Sequence, residues 1–152
     1  MANKKAYQAS TLELQCAPAL FLYELRVFLA ATSFLQDPAV QNNPSLKNAI
    51  LESALLHSRN ILDFFCAKES SIDDISAGHF VKNADGTPWT SFKLSFLISC
   101  KGDINKSLSH LTYTRVKFKP SWNITKIRQE IEDAYSEFVT LLPLSERPKW
   151  TA

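Results

Sequence analysis

Apolar residues recur at helical spacing over most of the chain. Leu14, Phe21, Leu25 and Phe28 fall on one face, which predicts a first helix from about Leu12 to Gln36. Asp37-Pro38 supplies its stop. Pro18 lies inside the pattern and marks either a first turn or a kink. Asp37 to Pro44, with two prolines and two asparagines, reads as a linker. Ser45 is the expected N-cap of a second helix from Leu46 to about Cys66. There Ile50, Ala54, His57, Ile61 and Phe64 form a stripe that Leu51, Leu55 and Leu62 widen. A helix apolar over so wide an arc belongs at the centre of a bundle.

Beyond it, Ser70 to Asp74 reads as the cap of a short helix carrying Ile75 and Phe80. Lys82 to Thr90 is a loop, with Asp85-Gly86 and Pro88 as its turn residues. Phe92, Leu94, Phe96 and Ile98 alternate like a strand, but Leu97 breaks the alternation, and the segment to Cys100 is read as helix. Asp103 is the expected cap of a helix to about Thr114, with Ile104, Leu108 and Leu111 inward; Lys117 to Pro120 ends it. Ser121 then caps a last helix through Ile124, Ile127, Ile131, Ala134, Phe138 and Leu141, which Pro143 terminates. Lys126, Glu130 and Asp133 lie on its other face, expected to be solvated. The pattern predicts an all-α fold: one domain over residues 1–152, about four principal helices and a short accessory one. Residues 1–11 and 144–152 are expected to be flexible ends.

Composition narrows the class. Apolar residues make up 45% and charged residues 21%, the balance of an ordinary globular domain. With 3 glycines, no two close together, a glycine-rich phosphate loop is excluded. Cys16, Cys66 and Cys100 are widely separated and have no ligand-like spacing, so they are read as small core residues of a reducing, cytoplasmic compartment. The start lacks the apolar core of a signal peptide. Glu24 and Arg26 interrupt the apolar run from Ala17 to Leu35, so it is read as a buried helix with no membrane partner.

Charge is uneven. Lys106, Arg115, Lys117, Lys119, Lys126 and Arg128 occur with no acidic residue between Ile104 and Gln129, and Tyr113, Phe118 and Trp122 are interleaved. Cations beside aromatic rings suit phosphate contact and base stacking. A solvated helix start with core aromatics has the same composition. Lys106, His110 and Thr114 share a helical face, and a neighbouring lysine favours a neutral imidazole able to accept a proton. His57 lies on an apolar stripe, where a hydrogen-bonded structural histidine is the common case. Arg59 has Asp63 one turn on, with Asp73 or Asp74 as further partners. His79 is expected at the surface. No spacing of histidines and carboxylates requires a metal, no serine elbow occurs, and no cofactor is expected.

The window Asn105-Lys106-Ser107-Leu108-Ser109-His110 resembles a motif of the HEPN superfamily of small helical bundles. In that family an arginine precedes a histidine by a few positions at the start of a late helix. The resemblance extends loosely from the second helix to the last. It implies RNA or nucleotide binding, in active members metal-independent RNA cleavage, often from a dimer. His110 takes the place of the family's histidine; Asn105 stands where the arginine is expected, with Lys106 beside it. In the catalytic version His110 transfers the proton, and Lys106 and Arg115 stabilise phosphate charge. Lys117, Lys119, Trp122, Lys126 and Arg128 would extend the RNA contact. The alternative is a homodimeric interaction module in which His57, Arg59 and His110 form a structural polar network.

Overall fold

The computed structural model describes residues 10–66, 75–89, 92–109 and 121–151. Four long helices form the bundle: α1 (Thr11–Phe34), α3 (Pro44–Cys66), α4 (Ser95–Ser109) and α5 (Ile124–Leu141). A single turn of helix, α2 (Pro38–Gln41), joins α1 to α3, and 3₁₀ turns occupy Ala77–His79 and Arg147–Trp150. Among the described residues there is no strand, only an isolated bridge between Lys82 and Pro88. The expected all-α bundle is the observed one.

Helix ends follow local chemistry, in several places one or two residues from where the sequence alone set them. α1 opens on a reciprocal capping box: Glu13 N donates to Ser10 Oγ at 3.3 Å, and Ser10 N to Glu13 Oε2 at 2.6 Å. Pro18 sits within α1 and is buried. The expected linker instead starts a helical turn, because Asp37 Oδ1 accepts from Ala39 N at 2.8 Å ahead of Pro38 at the first helical position. The cap of α3 is Asn43, whose Oδ1 accepts from Leu46 N, and Ser45 is already helical. Likewise Asn123, not Ser121, caps α5 through Lys126 N.

The cap expected at Asp103 is absent, and α4 runs straight through it. Its N-terminus is capped from another helix. Glu130 on α5 accepts from Phe96 N at 3.0 Å and Leu97 N at 2.9 Å, placing a carboxylate where the helix dipole is positive. Glu130, expected on a solvated face, therefore ties α5 to α4.

α1 and α3 form the most extensive pairing in the bundle. They run antiparallel: Phe21 meets Phe64 near one end, and Glu24 meets Asn60 further along. Phe21, Phe28, Phe65, Ile131 and Phe138 lie in the core. Trp150 is 0% exposed, 4.8 Å from both the Phe80 and Phe138 rings. The C-terminal segment is thus a packed element, where a flexible end was expected. Arg147 fastens it by donating to Thr140 O at 2.6 Å and Leu142 O at 3.1 Å, carbonyls left over at the end of α5. Tyr135 donates to Trp150 O.

Ile124 is only partly buried and Leu141 exposed at the ends of the α5 stripe; Leu142 is buried instead. The cysteines also differ from expectation: Cys16 and Cys66 are exposed and Cys100 half-exposed. Cys16 and Cys66 lie beside the arc their helices turn to the core, while Cys100 is partly buried against it. Gly86 adopts φ +82 in the loop after Val81, the left-handed turn expected of Asp85-Gly86. The expectations for Ser70–Asp74, for Leu111 and Thr114 and for Lys117–Pro120 lie outside the described residues.

Candidate functional site

His57 is the best-placed of the sequence candidates. Glu24 faces it from α1, with 2.6 Å between His57 Nδ1 and Glu24 Oε2, and Asn60 Nδ2 donates to the same oxygen at 3.0 Å. A carboxylate only accepts, so the bond puts the His57 proton on Nδ1. The Tyr23 ring meets the imidazole edge-on, with 5.9 Å between centroids. Sequence reasoning passed over Glu24 and Asn60. The available signal was a carboxylate in an apolar helix, which needs a partner once partly buried.

One turn along α3, Asp63 binds two cations. Lys101 Nζ from α4 lies 2.5 Å from Oδ1, while the expected i,i+4 pair with Arg59 spans 3.7 Å from Nε to Oδ2. That length is an ion pair but no hydrogen bond, and the buried Arg59 Nε has no hydrogen-bond partner. The Cys66 thiol nearby is raised in pKa, chiefly by desolvation although part of the residue is exposed; Lys101 opposes the shift and Asp63 adds to it. It stays a thiol at neutral pH, not a nucleophilic thiolate.

Glu24, Arg59, Asn60 and Asp63 line a cleft of about 380 Å³ together with the apolar residues Ala17, Leu20, Phe21, Phe64 and Ile75. A second groove, about 640 Å³, lies at the other end of the α1–α3 pair. Trp122, Lys47, Gln36, Gln41 and Asn123 are among its lining residues.

The described members of the basic stretch point in different directions. Lys106 on α4 is 65% exposed and 3.9 Å from Asp103. Lys126 lies 4.6 Å above the Phe96 ring, about 15 Å back along α4 from Lys106 at 1.5 Å per residue. Arg128 turns to α1, donating to Ser33 Oγ at 3.0 Å and Thr32 Oγ1 at 3.3 Å while bonding Glu132 Oε1 at 3.0 Å. It works as a helix-to-helix tie. Asn105 is half-buried, its Oδ1 without a hydrogen-bond partner. His79, expected at the surface, is half-buried and caps its own 3₁₀ turn, where Nδ1 accepts from Ser76 N at 3.0 Å. His110, Arg115, Lys117 and Lys119 lie outside the described residues, as do Asp73 and Asp74. Among the described residues no group of three or more histidines, cysteines and carboxylates is placed to hold a metal.

No family model matches the chain, and the searches of curated proteins and of solved structures find no match.

Proposed function

We propose that this chain is a helical interaction module that pairs with a second copy of itself through the outward side of α1. One observation carries the reading. Cys16, Leu20, Tyr23, Val27, Ala30 and Phe34 follow steps of four and three along α1, the a/d spacing of a helix-pairing seam. All are apolar, and Leu20, Tyr23 and Phe34 are 59%, 58% and 56% exposed. Phe21, Leu25 and Phe28 fill the opposite side with core contacts. An exposed apolar stripe of this length on a helix marks an interaction surface, and a seam of this kind is complementary to its own copy across a two-fold axis.

In this reading His57 and Asp63 belong to polar ties that hold the seam in shape. Glu24–His57–Asn60 sets α1 against α3, and Asp63–Lys101 sets α3 against α4. Sedimentation velocity over a dilution series tests the pairing, with a concentration-dependent dimer expected. By length and composition α1 is also apolar enough to cross a membrane. Flotation with neutral vesicles is therefore run alongside. Recovery of the protein with the vesicles and no dimer in solution counts against self-pairing.

RNA or nucleotide binding, the reading implied by the HEPN resemblance and the charge pattern, draws support from the groove beside Trp122. An indole, Lys47 and three side-chain amides offer stacking, charge and hydrogen bonds together. Salt-dependent binding of a single-stranded RNA, weakened by Trp122→Ala, is the expected result. Loss of RNA cleavage with retained binding in His110→Ala would support the catalytic version. An unfolded His110→Ala protein would speak for a structural histidine.

A further inference from the structure

The cleft between the first half of α1 and the last turns of α3 has a use that self-pairing does not require. Its lining is of two kinds: apolar groups that include the Phe21 and Phe64 rings, and the polar side chains of Glu24, Arg59, Asn60 and Asp63. At about 380 Å³ it falls within the range of small-molecule sites.

Among the described residues, the hydrogen-bonding capacity of these polar groups is partly unspent. His57 and Asn60 both bond the Oε2 atom of Glu24, and no described residue donates to Oε1. Asn60 uses its amide nitrogen there, which leaves Oδ1 to accept. Arg59 makes no hydrogen bond to any described residue, and its Nε is buried. Asp63 is already engaged by Lys101 at 2.5 Å. Among the described residues the cleft therefore offers two acceptors, Glu24 Oε1 and Asn60 Oδ1, and one cationic donor group, Arg59.

An anion alone would meet the Glu24 and Asp63 carboxylates as well as Arg59, and a cation alone would meet the guanidinium. A ligand carrying both charges satisfies both. We infer that the cleft binds a small zwitterion with an apolar or aromatic body, of the size and chemistry of a free hydrophobic amino acid. Its ammonium bonds Glu24 and Asn60, its carboxylate bonds Arg59, and its body packs on Phe21 and Phe64.

Three probes sharing one phenyl body separate the contributions: L-phenylalanine with both charges, 3-phenylpropionate with the carboxylate only, and 2-phenylethylamine with the ammonium only. Titration calorimetry on the full chain should show millimolar or tighter binding of L-phenylalanine. Each half-ligand should bind about tenfold or more weakly, the expected effect of losing one charge-assisted hydrogen bond. Arg59→Gln should weaken L-phenylalanine by a similar factor, with an unaltered melting temperature. It should bind 2-phenylethylamine as tightly as the wild type or more tightly, because the guanidinium that repels a lone ammonium is gone. Equal binding of all three probes, or none by L-phenylalanine at millimolar concentration, overturns the assignment. The wild-type series decides the matter even where Arg59→Gln does not fold.

Discussion

On α1, Phe21, Leu25 and Phe28 are almost wholly out of water, while Leu20, Tyr23 and Phe34 on the same helix keep more than half their surface in it. The two sets are alike in chemistry and differ in what covers them. α3 and α5 close over the first set; among the described residues, no element closes over the second. Glu24 lies at the boundary between the two sides, bonded to His57 and Asn60. Apolar content places a helix in a bundle. Which of its sides is core depends on where the neighbouring helices sit.

Truncating one residue from each side breaks the comparison most sharply. Phe28→Ala should cost about 3–5 kcal/mol, the usual loss for a buried phenylalanine. Phe34→Ala at low protein concentration should change stability by no more than about 0.5 kcal/mol, as for an exposed position. Urea denaturation gives both values. Comparable losses at the two sites would mean that Phe34 is covered within one chain.

The C-terminal turn belongs to the inward side despite its position in sequence. Trp150→Ala is expected to cost about 3–5 kcal/mol. Trp150→Phe should cost much less, because the indole Nε1 is buried without an acceptor and phenylalanine removes that orphaned donor along with some volume. If the two variants melt together, ring packing is not what holds this segment.

At the boundary, Glu24→Ala leaves His57 and Asn60 without their shared acceptor. A loss of about 1–3 kcal/mol follows from two part-buried donors going unpaired. An unchanged melting temperature would show that water replaces the carboxylate and that the tie holds nothing. Among the polar ties, the smallest effect belongs to the cap of α4. Glu130→Gln removes a charge at a helix N-terminus but keeps a side-chain oxygen there, and about 1 kcal/mol or less should be lost.

Helical periodicity made most of the fold legible. The α5 stripe from Ile127 to Phe138 is buried as its spacing required, and α1 and α3 end within a few residues of their expected bounds. The failures have a common physical origin. Glu130 reaches across from α5 to cap α4, and Trp150 folds back on Phe138; both contacts are long-range and leave no local pattern. Local residue type also misled where two capping residues stood close together, as with Asn43 and Ser45 or Asn123 and Ser121. Of the candidate site, the Arg59–Asp63 pair was readable from its i,i+4 spacing. Its second cation, Lys101, and the partners of His57 were not, since each comes from another helix or was masked by apolar neighbours.

The central claim is that the outward side of α1 is a self-pairing surface, and sedimentation equilibrium of the double variant Ala30→Glu, Phe34→Glu tests it most directly. Both residues are exposed and neither lines the Arg59 cleft, so folding and the cleft are left intact. The account predicts a wild-type dimer that dissociates on dilution and a variant that stays monomeric at every concentration, the two melting alike when dilute. A wild-type chain that is monomeric throughout, or a variant that still dimerises as the wild type does, would contradict it.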